Sequence, residues 1–150
     1  MSPTSDFDKR VRLHIYTHIV ETTRAPLIAD VAQALGRSDE EILAVFERQA
    51  AAHSLVLEQE SREVRMAMPF SAVPTAFMVE VKDKTYWANC AWDAFGVAAA
   101  LREDARIHTL CPDCQAELQY SVADSELSGG NGIIHFLLPA QQWWEDIIFT

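Results

Sequence analysis

The stretch Tyr86-Trp87-Ala88-Asn89-Cys90-Ala91-Trp92-Asp93-Ala94-Phe95-Gly96 decides how the second half of this chain folds. It begins as an apolar strand and runs into an apolar segment, 91–101, that predicts a helix. Cys90 lies at the corner, where unpaired backbone N–H groups and the positive end of the helix dipole favour a thiolate. Asp93 follows three residues later on the same helix face. A soft nucleophile beside a proton carrier indicates a reactive site.

The same local pattern also fits a purely structural role. In that interpretation Cys90 is a small buried hydrophobe and Asp93 complements the helix dipole. The spacing alone leaves both interpretations open, so the rest of the chain has to decide between them.

Composition and charge exclude several classes of protein. A chain of 150 residues with 49% hydrophobic and 23% charged residues fits one globular domain or two small subdomains. The net charge of −10 argues against nucleic acid and anionic membranes as partners. Neither a membrane span nor an export signal is visible, so we expect a cytoplasmic protein. Three cysteines are an odd number and favour reduced thiols that bind or react.

The first half predicts three helices and a hairpin. The helices are expected over 6–22, 27–35 and 38–53, with Asp6 as the first N-cap and a Ser38–Glu41 capping box on the third. Strands over 55–57 and 64–68 would close the hairpin. This order indicates a winged-helix-like subdomain at 1–68. The third helix exposes acidic residues, which argues against a DNA-binding role.

The second half, 69–150, predicts a small mixed or antiparallel sheet with one or two helices. A proline-containing linker, 68–75, leads into the strand that ends at Cys90. Further strands are expected over 105–110, 115–123, 133–138 and 147–149, with a helical turn over 141–146. The predicted fold class is therefore α+β.

Cys111-Pro112-Asp113-Cys114 is a single CxxC turn. A zinc ribbon needs two such turns, so zinc at Cys111 and Cys114 would need further ligands. His108 could supply one, and Cys90, His135, water or another subunit could complete the site. The alternative is a turn in which two thiols are simply close. Trp143 and Trp144 form an aromatic patch that fits either core packing or the wall of an apolar pocket.

The Cys90 stretch, preceded by Pro69-Phe70-Ser71-Ala72-Val73-Pro74-Thr75, resembles the organomercurial (alkylmercury) lyase family. The order of parts is similar too: a winged-helix-like N-terminus, the PFS-x-x-PT linker, then the Cys-x-x-Asp corner. The resemblance implies that two thiolates hold the mercury of an organomercurial while an aspartate passes a proton to the leaving carbon. It assigns the first thiol to Cys90 and the proton carrier to Asp93. Mercury would be substrate and product, and no cofactor would be required.

The family's second catalytic cysteine is expected shortly after 143–150, and no cysteine follows Cys114 in this sequence. A natural short form, a truncated chain, and substitution by Cys111 or Cys114 all fit this pattern. An added thiol could also complete the mercury site.

Three functions follow from these observations. The first is cleavage of a carbon–mercury bond. The second is a non-catalytic protein that holds a soft metal (Hg, Cu or Zn) at Cys90, Cys111 and Cys114. The third is a metal-responsive winged-helix regulator, against which the acidic surface argues.

Overall fold

The computed structural model describes residues 5–148, and its first part is helical. The helices are α1 (Asp6–Thr22), α2 (Ile28–Leu35) and α3 (Asp39–Ala51). Ser5, rather than the predicted Asp6, caps α1, because its hydroxyl oxygen accepts a hydrogen bond from the Asp8 N–H at 3.0 Å. The predicted capping box of α3 is present, with Glu41 Oε2 accepting from the Ser38 N–H at 3.0 Å.

The strands of the described residues form one eight-stranded sheet in the order β1-β2-β3-β5-β4-β6-β7-β8, with every neighbouring pair antiparallel. Their bounds are β1 (Val56–Leu57), β2 (Val64–Ala67), β3 (Phe70–Ser71), β4 (Met78–Val81), β5 (Lys84–Ala88), β6 (Ala105–Leu110), β7 (Glu117–Ala123) and β8 (Glu126–Ser128). Helix α4 (Ala91–Leu101) follows β5 and packs on β4, β5 and β6. The α+β class is confirmed, while the winged-helix likeness of 1–68 stays a prediction.

Two tight hairpins were not predicted from the sequence. The strand expected to run through 82–84 turns back there, so that β4 and β5 pair with Val81 opposite Lys84. Lys82 takes a left-handed φ of 56°, which a two-residue hairpin turn requires. A second tight turn at Asp124 and Ser125, with φ of 51° and 66°, produces β8, which the sequence analysis missed.

The C-terminal segment is not a pair of strands. The strand predicted over 133–138 is wrong: this segment is irregular, and Ile133 is 94% exposed. Leu137 is 76% exposed as well, so the run does not bury both faces, as the fully apolar strand predicted here would have to. The helical turn predicted over 141–146 is a 3₁₀ helix, Ala140–Glu145. Residues 147 and 148 form a turn instead of a strand, and Phe149 lies outside the described residues.

Helix α1 is fixed to the sheet region through its C-terminal half. The Tyr86 hydroxyl donates to the Val20 carbonyl at 2.8 Å, and Lys84 Nζ donates to the same oxygen at 2.8 Å. The Tyr16 hydroxyl donates to the Met68 carbonyl at 2.9 Å. These bonds join the helical part to the strands that flank Cys90. No helix within residues 5–148 is long and apolar enough to cross a membrane.

The predicted linker, 68–75, contributes a strand of its own. Phe70 pairs with Ala67 on one side and with Ala88 on the other. Thr75 Oγ1 donates to the Ala88 carbonyl at 2.6 Å, which holds the end of β5 in place. The sheet therefore runs across the boundary predicted at residues 68 and 69, and the division into two parts stays a prediction.

Candidate functional site

Cys90 caps helix α4 at the end of β5, where the sequence predicted it. Its backbone is extended, with φ of −150° and ψ of −177°, and its carbonyl accepts the first helical hydrogen bond from the Ala94 N–H at 3.0 Å. The side chain is half-buried. The thiol is therefore held at the N-terminus of α4, two residues after the end of β5.

The pKa of the Cys90 thiol is set by effects of opposite direction. Burial raises its pKa, and the Asp93 carboxylate raises it further. The backbone N–H groups of Asp93 and Trp92 lower it, as the helix N-terminus was expected to do. Burial is the largest effect, so the net direction is upward, opposite to the direction that the helix terminus alone suggests. The resting site favours a thiol that must lose its proton on binding a metal.

Asp93 lies one helical turn further on, and its carboxyl is half-buried. Burial raises the pKa of Asp93, and a hydrogen bond from Asn89 lowers it. Asn89 Nδ2 donates to Asp93 Oδ2 at 3.0 Å, which leaves Oδ1 without that bond. A carboxyl with a raised pKa gains and releases a proton nearer to neutral pH than an exposed one does.

Asn89 is a site residue that the sequence analysis missed. Its Nδ2 also lies 3.3 Å from the carbonyl oxygens of Pro69 and Phe70, which ties the Cys90 corner to β3. Its Oδ1 is buried and has no hydrogen-bond partner within the described part of the chain. Its position directly before Cys90, at the start of the predicted helix, was the available signal.

Cys90 and Asp93 open into the same pocket of about 100 Å³. Most of the other residues that line it are apolar. The full lining is Met66, Met68, Asn89, Cys90, Trp92, Asp93, Phe136, Trp143, Ile147 and Ile148. Trp92 is 65% exposed, so one side of the pocket reaches solvent. The pocket suits a small apolar group held beside a thiol and a carboxyl.

The C-terminal segment forms one wall of this pocket. Trp143 lines it, packs on Phe136 with ring centroids 4.8 Å apart, and donates its Nε1–H to the Leu138 carbonyl at 2.9 Å. The neighbouring Trp144 stacks on His53, just beyond α3, with centroids 4.0 Å apart and planes 5° from parallel. The sequence left open whether the two tryptophans pack in the core or line a pocket. Trp143 lines the pocket, whereas Trp144 packs on His53 and holds the segment in place.

Cys111 and Cys114 do not line the Cys90 pocket. They lie in the turn between β6 and β7, and neither is in a disulfide. Backbone N–H groups of Cys114 and Asp113, together with the Cys114 thiol, lower the pKa of Cys111. The turn predicted from the CxxC spacing is present.

The additional zinc ligands that were considered for this turn do not converge on it. His108 Nε2 lies 3.4 Å from Glu80 Oε2. Among residues 5–148, no three His, Cys, Asp or Glu side chains are grouped so as to hold a metal ion. A tetrahedral zinc site therefore lacks the ligand set it needs in the described part of the chain.

Comparison with known proteins relates this fold to one family. The family model described as alkylmercury lyase matches residues 70–150, more than half of the chain. Among solved structures, one described as the mercury-bound form of MerB2 matches with a TM-score of 0.67 and 19% identity, over 85% of this chain and 61% of that one. The chain thus spans about three fifths of the length of that relative. A search of curated proteins finds no match. Because the matched region contains the Cys90 corner, α4 and the pocket wall from the C-terminal segment, the chain belongs to the alkylmercury lyase family.

Proposed function

We propose that this protein cleaves the carbon–mercury bond of small organomercurials by protonolysis, with Cys90 as the mercury ligand and Asp93 as the proton carrier. The observation that carries the proposal is the shared pocket, in which a thiol and a carboxyl with a raised pKa face apolar walls. Membership of the alkylmercury lyase family supports the same reaction class.

The reaction balances with the residues at hand and one external thiol. For a substrate R–Hg–X, the Cys90 thiol transfers its proton to Asp93, and the sulfur binds mercury, a soft ion for which thiolate is a preferred ligand. A second thiolate binds the mercury and displaces X⁻. Asp93 then delivers its proton to the carbon, which keeps the electron pair of the C–Hg bond and leaves as R–H. Mercury stays bound to the two sulfurs.

Burial of Asp93 supports its role in both proton steps. An exposed aspartate is a weak base with little tendency to hold a proton at neutral pH, whereas burial raises the pKa of Asp93. The hydrogen bond from Asn89 to Oδ2 would orient the carboxylate and leave Oδ1 for the proton. We therefore assign Asn89 as a positioning residue for Asp93.

The pocket walls support a small apolar organic group as the part of the substrate that leaves. Its volume of about 100 Å³ matches a short alkyl or a phenyl group better than a large ligand. Met66 and Met68 contribute flexible, polarisable thioether side chains that adapt to such groups.

The direct test is the release of benzene from a phenylmercury salt, measured by gas chromatography in the presence of an added monothiol. The wild-type protein should release benzene in proportion to enzyme, and Cys90→Ser should release none above the buffer control. Cys114→Ser serves as the matched control, because it removes a thiol that does not line the pocket. Wild-type protein that releases no benzene, even with thiol present, would rule out catalysis.

A non-catalytic protein that holds a soft metal is the second candidate, and the single thiol in the pocket favours it. Two thiolates are needed for the reaction above. Among the residues that line the described pocket, Cys90 is the one cysteine. Mercury retained by the wild-type protein and lost in Cys90→Ser, without any benzene release, would identify this function. A regulatory DNA-binding role has less support, because Arg48 on α3 is bound to Asp8 at 2.8 Å while Asp39, Glu40, Glu41 and Glu47 are exposed.

A further inference from the structure

The β6–β7 hairpin ends in a turn that presents two cysteines to solvent. Leu110 pairs with Glu117, and the ladder continues one step further through the Cys111 N–H, which donates to the Ala116 carbonyl at 2.9 Å. Within the turn, the Gln115 N–H donates to the Cys111 carbonyl at 2.8 Å. The turn is therefore closed by the backbone itself, and Cys111 and Cys114 are fixed near each other without a disulfide.

Several donors of the turn surround the sulfur of Cys111. The backbone N–H groups of Asp113 and Cys114 are directed at it, as is the thiol of Cys114. Hydrogen bonds from backbone N–H groups stabilise a thiolate, which is the form that binds metals. Cys114 is exposed and Cys111 is partly exposed, so an ion can reach both.

The number of ligands limits which ion would bind. No third His, Cys, Asp or Glu joins this pair in the described residues, so a tetrahedral ion such as Zn²⁺ would lack half of its ligands. Ions that are satisfied by two sulfurs, such as Hg²⁺ and Cu⁺, have no such deficit.

We propose that Cys111 and Cys114 form a second site, separate from Cys90, that binds a two-coordinate soft cation through two thiolates. Binding releases the two thiol protons and forms two metal–sulfur bonds, with no change in oxidation state. The site does not depend on the lyase reaction, because neither cysteine lines the Cys90 pocket.

The test uses Hg²⁺ alone as the probe and compares the three variants that each keep two thiols. Protein is reduced, freed of reductant under argon and titrated with Hg²⁺ against a competing thiol, while the sulfur-to-mercury absorption is recorded in the ultraviolet. Cys90→Ser should bind one Hg²⁺ per chain with the two-thiolate absorption. Cys111→Ser and Cys114→Ser should bind on the order of 10²–10⁴-fold more weakly, because each loses the chelate.

Two outcomes would overturn the proposal. If Cys114→Ser or Cys111→Ser binds as tightly as Cys90→Ser, the ion is shared between Cys90 and one tip cysteine, or sulfur pairs are formed between chains. If Cys90→Ser binds no more tightly than a protein with one thiol, then the hairpin tip formed by Cys111 and Cys114 does not chelate the ion.

Asp113→Asn is the matched control, since it keeps both thiols and removes the exposed carboxylate between them. Its affinity should stay within about twofold of the parent, as expected for one exposed charge. A large loss in this variant would assign the ion to oxygen ligands and contradict a thiolate site. Failure of the tip to bind Hg²⁺ would leave benzene release by the Cys90 pocket unaffected, so the two proposals fail separately.

Discussion

Two thiol environments of opposite character lie on the same sheet. Cys90 is enclosed by apolar walls, and burial raises its pKa even though it caps a helix. Cys111 lies on an exposed hairpin tip, where backbone N–H groups lower its pKa. The comparison teaches that burial of a thiol can outweigh the effect of a helix N-terminus on its pKa. A buried thiol gains reactivity from the partner that takes its proton, which here is Asp93.

The largest effect should come from removing that partner. Asp93→Asn keeps the shape of the side chain and abolishes its ability to carry a proton, so benzene release should fall by about 10²–10⁴-fold. Binding of Hg²⁺ at the Cys111–Cys114 tip should not change. Rates measured by gas chromatography and tip binding measured by ultraviolet absorption check the two halves of this prediction. An Asp93→Asn protein that retains wild-type turnover would remove Asp93 from the mechanism.

Removing the hydrogen bond from Asn89 should have a smaller effect on the same pocket. In Asn89→Ala the pKa of Asp93 should rise further, because that bond lowers it. Asp93 must be ionised to accept the thiol proton, so the acid limb of the pH–rate profile should move to higher pH. The rate near neutral pH should fall by about 10–100-fold, as is typical when the support of a site residue is lost.

The pH profile distinguishes positioning from general damage to the fold. An Asn89→Ala protein with a lower rate but an unmoved acid limb would show that Asn89 acts only through its bonds to Pro69 and Phe70. Circular dichroism of the variant serves as the folding control.

Alkylation should expose the difference between the thiols directly. The thiolate is the reacting form, so the group with the lowered pKa should reach half of its maximal rate at the lower pH. Iodoacetamide should therefore label Cys111 at lower pH than Cys90 and faster near neutrality, since a larger fraction of Cys111 is thiolate there. Mass spectrometry of peptides from a pH series gives the rates. Faster labelling of Cys90 would reverse the comparison.

The smallest effect should come from loosening the segment that encloses Cys90. Trp144→Ala removes the stack on His53 and should cost about 1–2 kcal/mol of local stability. Labelling of Cys90 should then accelerate by up to roughly tenfold, since about 1.4 kcal/mol corresponds to a factor of ten. Labelling of Cys111 should stay the same. Leu127→Ala on exposed β8 is the control and should alter neither rate.

Local signals in the sequence were enough to predict much of this fold. The three N-terminal helices follow from apolar periodicity, and the α3 start follows from the Ser38–Glu41 capping box. The corner at Cys90 was predicted because an apolar strand and an apolar helix meet there. Strand β7 was predicted because apolar and polar residues alternate along it. Each of these features is decided by residues that are close together in the sequence.

The features that the sequence analysis missed are decided between elements. An apolar run such as 133–138 becomes a strand only if other elements cover both of its faces, and here Ile133 and Leu137 stay exposed. The turns at Lys82 and Asp124 lack the glycine that usually marks a left-handed backbone, so the sequence analysis identified neither hairpin. The apolar walls of the pocket were missed because Met66 and Phe136 are 70 positions apart in the sequence.

The two-residue strand β3 has a consequence for how this protein unfolds. Its bonds to β2 and β5 make the helical portion and the lyase-like portion share one continuous ladder. We therefore expect a single cooperative denaturation transition, with tryptophan fluorescence and far-ultraviolet dichroism superimposing along a urea gradient. Excising residues 1–68 would bare a backbone edge at the centre of the sheet, and the remaining fragment should self-associate.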